Sequence, residues 1–97
     1  MYYILVDKMV IPAKLEEYID WFKNIDNRRV IFNKIKDVEV STIFLGIDHG
    51  FGGKSLFFET MVFGGEYDNY QERYATWEEA EIGHKKAVKL VSNNKKG

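Results

Sequence analysis

Asp48 and His49 stand side by side just ahead of Gly50, Gly52 and Gly53, and this is the most site-like segment of the chain. An imidazole titrates near neutral pH, and a neighbouring carboxylate can orient it or tune its charge. The pair could therefore move a proton, with His49 as general base or acid and Asp48 or Glu59 as its partner. The glycines would let a ligand come close to the backbone. The opposed reading is a glycine-rich connection in which Asp48 makes a local turn bond and His49 faces water. Glu59 sits inside the apolar run from Leu56 to Phe63. A carboxylate there must be ion-paired, hydrogen-bonded or held neutral. Its available partners are Arg28, Arg29, Arg73 and the two histidines, so Glu59 is either a ligand-facing group or half of a structural ion pair.

Tyr67, Tyr70 and Tyr74 with Arg73 form a set able to stack on a base or sugar, or else a group of solvated loop tyrosines. Arg29 and Arg28 are further candidates for an anionic group, and Phe51 is an aromatic that a base could lie on. The expectation is that Asp48, His49, Glu59, Arg73 and Tyr74 contribute to one pocket. Gly53-Lys54-Ser55 mimics the end of a phosphate-binding loop. The glycine required five residues earlier is Asp48, however, and a strand rather than a helix follows. No metal is expected, because His49 and His84 have no ligand-like spacing. His84 lies on the apolar stripe of the last helix and reads as a satisfied core histidine.

These side chains must be held by a small set of elements. Tyr2 to Val6 and Met9 to Ile11 read as a hairpin around Asp7-Lys8, with Pro12 just ahead of a helix. Leu15, Tyr18, Ile19 and Phe22 fall on one helical face, and Asn24 to Asn27 ends that helix. Arg29 to Ile35 and Val38 to Ile47 read as strands joined at Lys36-Asp37, and Leu56 to Phe63 as a third. Gly46 to Gly53 is a loop, and Glu66 to Tyr74 a loop closing in a short strand. Thr76 and Glu79 match a capping box for a helix carrying Trp77, Ala80, His84, Ala87, Val88 and Val91. The order is ββ-α-βββ-α: an α+β domain over residues 1–92, with an antiparallel sheet of about five strands, two helices and a basic frayed tail at 93–97. Both faces of Leu56 to Phe63 are apolar. Either the two helices cover opposite faces or a second subunit covers one, and the expectation is a homo-oligomer.

Composition closes off several classes. With 45% hydrophobic, 15% aromatic and 30% charged residues, the 97-residue chain is neither disordered nor of low complexity. Fourteen basic against fifteen acidic residues give a net charge of −1, which leaves no surplus for gripping a nucleic acid polymer. The absence of cysteine excludes disulfides, thiol catalysis and cysteine zinc sites. No apolar run has the length of a signal-peptide core or a membrane span, so a cytoplasmic location without membrane contact is expected.

Several runs resemble a family of small phage and prophage proteins: Val40-Ser41-Thr42-Ile43-Phe44-Leu45-Gly46-Ile47-Asp48-His49, Phe58-Glu59-Thr60-Met61-Val62-Phe63-Gly64-Gly65, Arg73-Tyr74-Ala75-Thr76-Trp77-Glu78-Glu79-Ala80 and Gly83-His84. With Arg28-Arg29-Val30 the resemblance covers most of residues 28 to 88. Gly52-Gly53-Lys54-Ser55 departs from it, because the family carries a proline-containing stretch there. The resemblance implies phage origin and no assigned chemistry. By analogy of class it suggests an anti-defence sponge, which binds a nucleotide-derived immune signal of the host without turnover. A protein-binding inhibitor or structural accessory of a phage comes second, and a small acid–base enzyme third. The expected ligand is a nucleotide-like small molecule, with no cofactor.

Overall fold

The computed structural model describes residues 1–50 and 52–93, so Phe51 and most of the expected tail lie outside it. Two antiparallel sheets are present in place of the single five-stranded one. Strands β1 (Tyr2–Val6) and β2 (Met9–Ala13) form a two-stranded hairpin. Strands β3 (Arg29–Ile35), β4 (Val38–Phe44), β5 (Phe58–Phe63) and β6 (Gln71–Tyr74) form a four-stranded sheet in sequential order. Helix α1 (Leu15–Phe22) follows the hairpin, and α3 (Trp77–Ser92) closes the chain. Between them α2 (Ile25–Arg28) occupies the segment expected to be a turn, with Asn24 Oδ1 accepting from the Asp26 amide at 3.0 Å.

The hairpin forms for local reasons. Its two-residue loop, Asp7-Lys8, has positive φ at both positions (52° and 71°), the hand that matches the twist of paired strands. Pro12 lies within β2 rather than ahead of the helix, opposite Tyr3. The Tyr3 amide points away from β2, to Gly46 O at 3.0 Å, so position 12 also faces its amide outward. A proline there removes a donor from the free edge and discourages further pairing.

In the larger sheet, Ile35 and Val38 close a two-residue turn, and Gly64 and Gly65 take φ of +96° and +71° at the end of β5. A side chain at Gly65 would stand 2.8 Å from Val38 Cγ2, so the second turn can lie against the first only without one. α3 begins as its sequence demands: Thr76 Oγ1 accepts from the Glu79 amide at 3.2 Å. The Glu79 carboxylate answers mainly one residue further back than the capping box predicts, on the Ala75 amide at 3.0 Å.

α3 covers one face of the sheet, and that face holds the core. Phe44 and Phe58 pack with Tyr74 and Ala80, while Val40 and Val62 pack with Ala87. Each fully buried aromatic contributes about 1.5–3 kcal/mol relative to exposure. The hairpin lies on the same side, with Tyr3, Leu5 and Val10 against the first cluster, and α1 joins it by setting Trp21 edge-on to Phe44. α3 and the Trp21 ring of α1 meet the same face of the sheet, so the two helices do not sandwich it.

Candidate functional site

Strand alternation and register decide which polar side chains meet. On the face turned to α3, Thr42 and Thr60 are directly opposed and lie between the two apolar clusters. Their hydroxyl oxygens are 2.5 Å apart, and Thr42 Oγ1 is 2.7 Å from His84 Nδ1. The other ring nitrogen, Nε2, is 2.7 Å from Asn33 Oδ1. With Asn33 Oδ1 accepting, Nε2 carries the hydrogen and Nδ1 accepts from Thr42, whose oxygen then accepts from Thr60. Every member is satisfied, which is what a buried polar network requires. Burial holds the His84 pKa below its ordinary value, in keeping with a neutral ring. His84 is a core residue, as its place on the helical stripe suggested.

The face turned away from α3 carries the candidate site. Register aligns Arg29 with Ile43, Ile43 with Glu59, and Glu59 with Arg73, one residue from each strand in a single row. At a strand spacing of about 4.8 Å the row spans roughly 14 Å. Gln71 Nε2 donates to Glu59 Oε2 at 2.7 Å and Arg73 Nε donates to the same oxygen at 3.0 Å. Glu59 is only 8% exposed, whereas the Arg73 side chain keeps 35% of its surface. Met61 and Ile43 flank the carboxylate on the same face.

Arg29 reaches this face through an irregularity that sequence alternation conceals. A bulge between Arg29 and Ile31 shifts the register of β3 by one residue. Regular alternation would put residues 29 and 32 on opposite faces. The bulge puts both on the open one, with the Arg29 guanidinium 5.2 Å from the centre of the Phe32 ring. Phe32 is 40% exposed, which leaves a stacking surface beside a cation.

The other expected site residues are placed elsewhere. Tyr74 follows Arg73 in β6 and points to the opposite face, into the core, where burial raises its pKa. Tyr67 and Tyr70 pack on the Val40–Val62–Ala87 cluster, so the tyrosines form no platform with Arg73. Tyr70 also donates to Glu72 Oε1 at 2.8 Å, and burial together with that carboxylate pushes its pKa up to about 12. Arg28 stacks on Phe22 at 4.1 Å in the aromatic cluster of α1. Asp48 ties its own loop: Oδ1 accepts from the Gly50 amide at 2.8 Å and the Leu56 amide at 2.9 Å. Bonds from Ser55 and from these amides hold its carboxyl below the usual range. His49 is exposed beside it, its backbone amide bonded to Leu56 O at 2.9 Å. Two concave regions, of about 410 Å³ near Lys36 and Tyr67 and about 450 Å³ near Lys8 and Trp77, border none of the row.

The row therefore joins Arg29, Glu59 and Arg73 with Ile43, and the neighbouring row on the same face adds Phe32, Met61 and Gln71. Strand parity in the sequence places Met61 on the face of Glu59, and the rest depends on register. Among the described residues there is no cluster of three side chains able to hold a metal ion. No helix among them is long and apolar enough to cross a membrane. Comparisons with family models, with curated proteins and with solved structures gave no match.

Proposed function

We propose that the chain is a non-catalytic binder that sequesters a small nucleotide-derived ligand on the open face of its four-stranded sheet. The observation that carries the reading is the single row in which Arg29 and Arg73 flank Glu59, beside an exposed Phe32. Guanidinium groups suit phosphates because of their planar donor fork, and Arg29 and the terminal amino groups of Arg73 take that part. An aromatic ring under a base adds about 1–3 kcal/mol. A carboxylate held between donors supplies an acceptor for the base edge. Turnover has weaker support: of the two partners expected for His49, Asp48 spends Oδ1 on two backbone amides and Glu59 accepts from Gln71 and Arg73. In biological terms the reading is removal of a host immune signal in the cytoplasm by a phage-encoded protein, and there it rests on the sequence resemblance.

Self-association is the second part of the proposal. Val6 and Met9 lie on the face of the hairpin turned away from the core, 49% and 64% exposed, and Leu15 and Ile19 of α1 are 48% and 49% exposed. Sedimentation at tens of micromolar should give a species larger than the monomer, and Met9→Asp should return the monomer. A monomer in the parent chain would refute this part.

The binding proposal is tested by a thermal-shift series against mononucleotides and cyclic dinucleotides at fixed salt. A ligand at a hundred times its Kd should add about 2.7 kcal/mol of apparent stability and return intact after heat denaturation. Absence of any shift would remove the sequestration reading, and recovery of a converted product would replace it with an enzyme.

A further inference from the structure

The second core cluster stays unfinished at one end of the sheet. Ile35, Val38, Tyr67 and Val91 pack against Val40, Val62 and Ala87 but are themselves only half-buried. The same four side chains line the concave region of about 410 Å³ beside the turns that follow β3 and β5. Its floor is therefore apolar and continuous with the core. Gly64 and Gly65 also border it and bring no side chain into the space. The rim carries charge of both signs. Lys36, in the turn between β3 and β4, and Glu66, just past the glycines, are exposed and border the same cavity. Neither makes an ion pair with the other or with any described residue. Val91 and Ser92 bring the C-terminal end of α3 to the rim, where the partial negative charge of a helix terminus favours a cation.

We infer that this cavity binds a free α-amino acid with an apolar side chain, of the size of leucine. The side chain lies on the floor of Ile35, Val38, Tyr67 and Val91, where burying it removes apolar surface from water on both sides. Lys36 takes the carboxylate, and Glu66 with the end of α3 takes the ammonium. Opposite charges that share a rim without pairing leave both available, and a zwitterion satisfies both at once. A carboxylic acid or an amine alone would leave one of them unmatched. A volume of about 410 Å³ falls near the lower end of small-molecule sites, about 300–1,000 Å³, and suits a single amino acid. The cavity borders no residue of the Arg29–Glu59–Arg73 row, so the inference stands apart from the nucleotide reading.

Titration calorimetry of the full chain with L-leucine, 4-methylpentanoate and 3-methylbutylamine tests this without any substitution. The second compound is leucine without its ammonium, and the third is leucine without its carboxylate. L-leucine should bind about tenfold more tightly than either, because each has lost one charge-assisted contact. Glu66→Gln should bring L-leucine to within about twofold of 4-methylpentanoate, and Lys36→Asn to within about twofold of 3-methylbutylamine. Lys36 has φ of 57°, a backbone that asparagine tolerates, so the turn survives that change. Amide shifts on adding L-leucine should concentrate at Gly64, Gly65 and Val91. No binding of L-leucine at about 10 mM overturns the inference and leaves the nucleotide proposal untouched. Equal binding of L-leucine and either analogue overturns it too, since one charge of the rim then plays no part. Amide shifts confined to the Arg29–Glu59–Arg73 row would place the amino acid elsewhere and overturn it as well.

Discussion

Gly83→Ala puts local preference and tertiary packing in direct conflict. Within a helix, alanine is favoured over glycine by about 1 kcal/mol, so α3 alone would welcome the change. The structure predicts the opposite, because a Cβ at position 83 would fall on the hydroxyl and ring carbons of Tyr74. Tyr74 is 8% exposed and packed with Phe44, Phe58 and Ala80, so its ring has nowhere to retreat without moving the core. Overpacking of this kind costs about 1–3 kcal/mol, and the upper end applies where the obstruction is ring atoms rather than a flexible tip. Against the helical gain, the net loss is about 1–2 kcal/mol, or roughly 5–15 °C in melting temperature for a chain of this length. Tyr74 adjoins Arg73 in β6, so a displaced ring would also loosen the hold of Arg73 on Glu59. Thermal and urea unfolding of Gly83→Ala, Tyr74→Leu and the double variant would measure this. In the Tyr74→Leu background the same substitution should become stabilising by up to about 1 kcal/mol, a coupling of about 2–3 kcal/mol. A Gly83→Ala chain as stable as the parent, or more so, would refute the reasoning.

Further outcomes are expected at His84 and at Asp48. Burial lowers the folded-state pKa of His84, so below about 6.5 the unfolded chain binds the proton more readily than the folded one. Stability should therefore be complete above that pH and decline as pH falls through it toward the folded value. Urea midpoints between pH 7.5 and 5 will report the slope. His84→Leu should flatten it while losing about 1–3 kcal/mol at pH 7.5, because Asn33 Oδ1 and Thr42 are left without their partner. Asp48→Ala should speed hydrogen exchange at the Gly50 and Leu56 amides and leave the β4–β5 ladder protected, as exchange followed by NMR would show. Because the folded carboxyl is held below its ordinary value, that tie should persist above about pH 3.8 and weaken only as the pH falls through the lower folded value.

Local chemistry settled much of the secondary structure. The β-branched run at Arg29–Ile35, the turn at Lys36-Asp37 and the helix opened by Thr76 are legible because each depends on residues within a turn or two of one another. The helical stripe that carries Ala80, His84 and Ala87 likewise told which side of α3 is buried. Composition alone removes thiol and disulfide chemistry, since the chain holds no cysteine. Tertiary structure alone decided which of these elements pair. The first two strands pair only with each other as a ladder, with the Tyr3 amide as a backbone tie to Gly46 O, so a single five-stranded sheet read from the sequence becomes a hairpin and a four-stranded sheet. A one-residue bulge, invisible to alternation, turns Arg29 to the side where Phe32, Glu59 and Arg73 lie, while Tyr74, next to Arg73, turns away. Glu59 and Arg73 are 14 residues apart and Asn33 and His84 are 51 apart, and their meetings follow from register and helix docking. Periodicity tells a side chain which face of its own element it occupies. The neighbour it finds there is set by cross-strand register, because each step of slip exchanges the two faces of a strand.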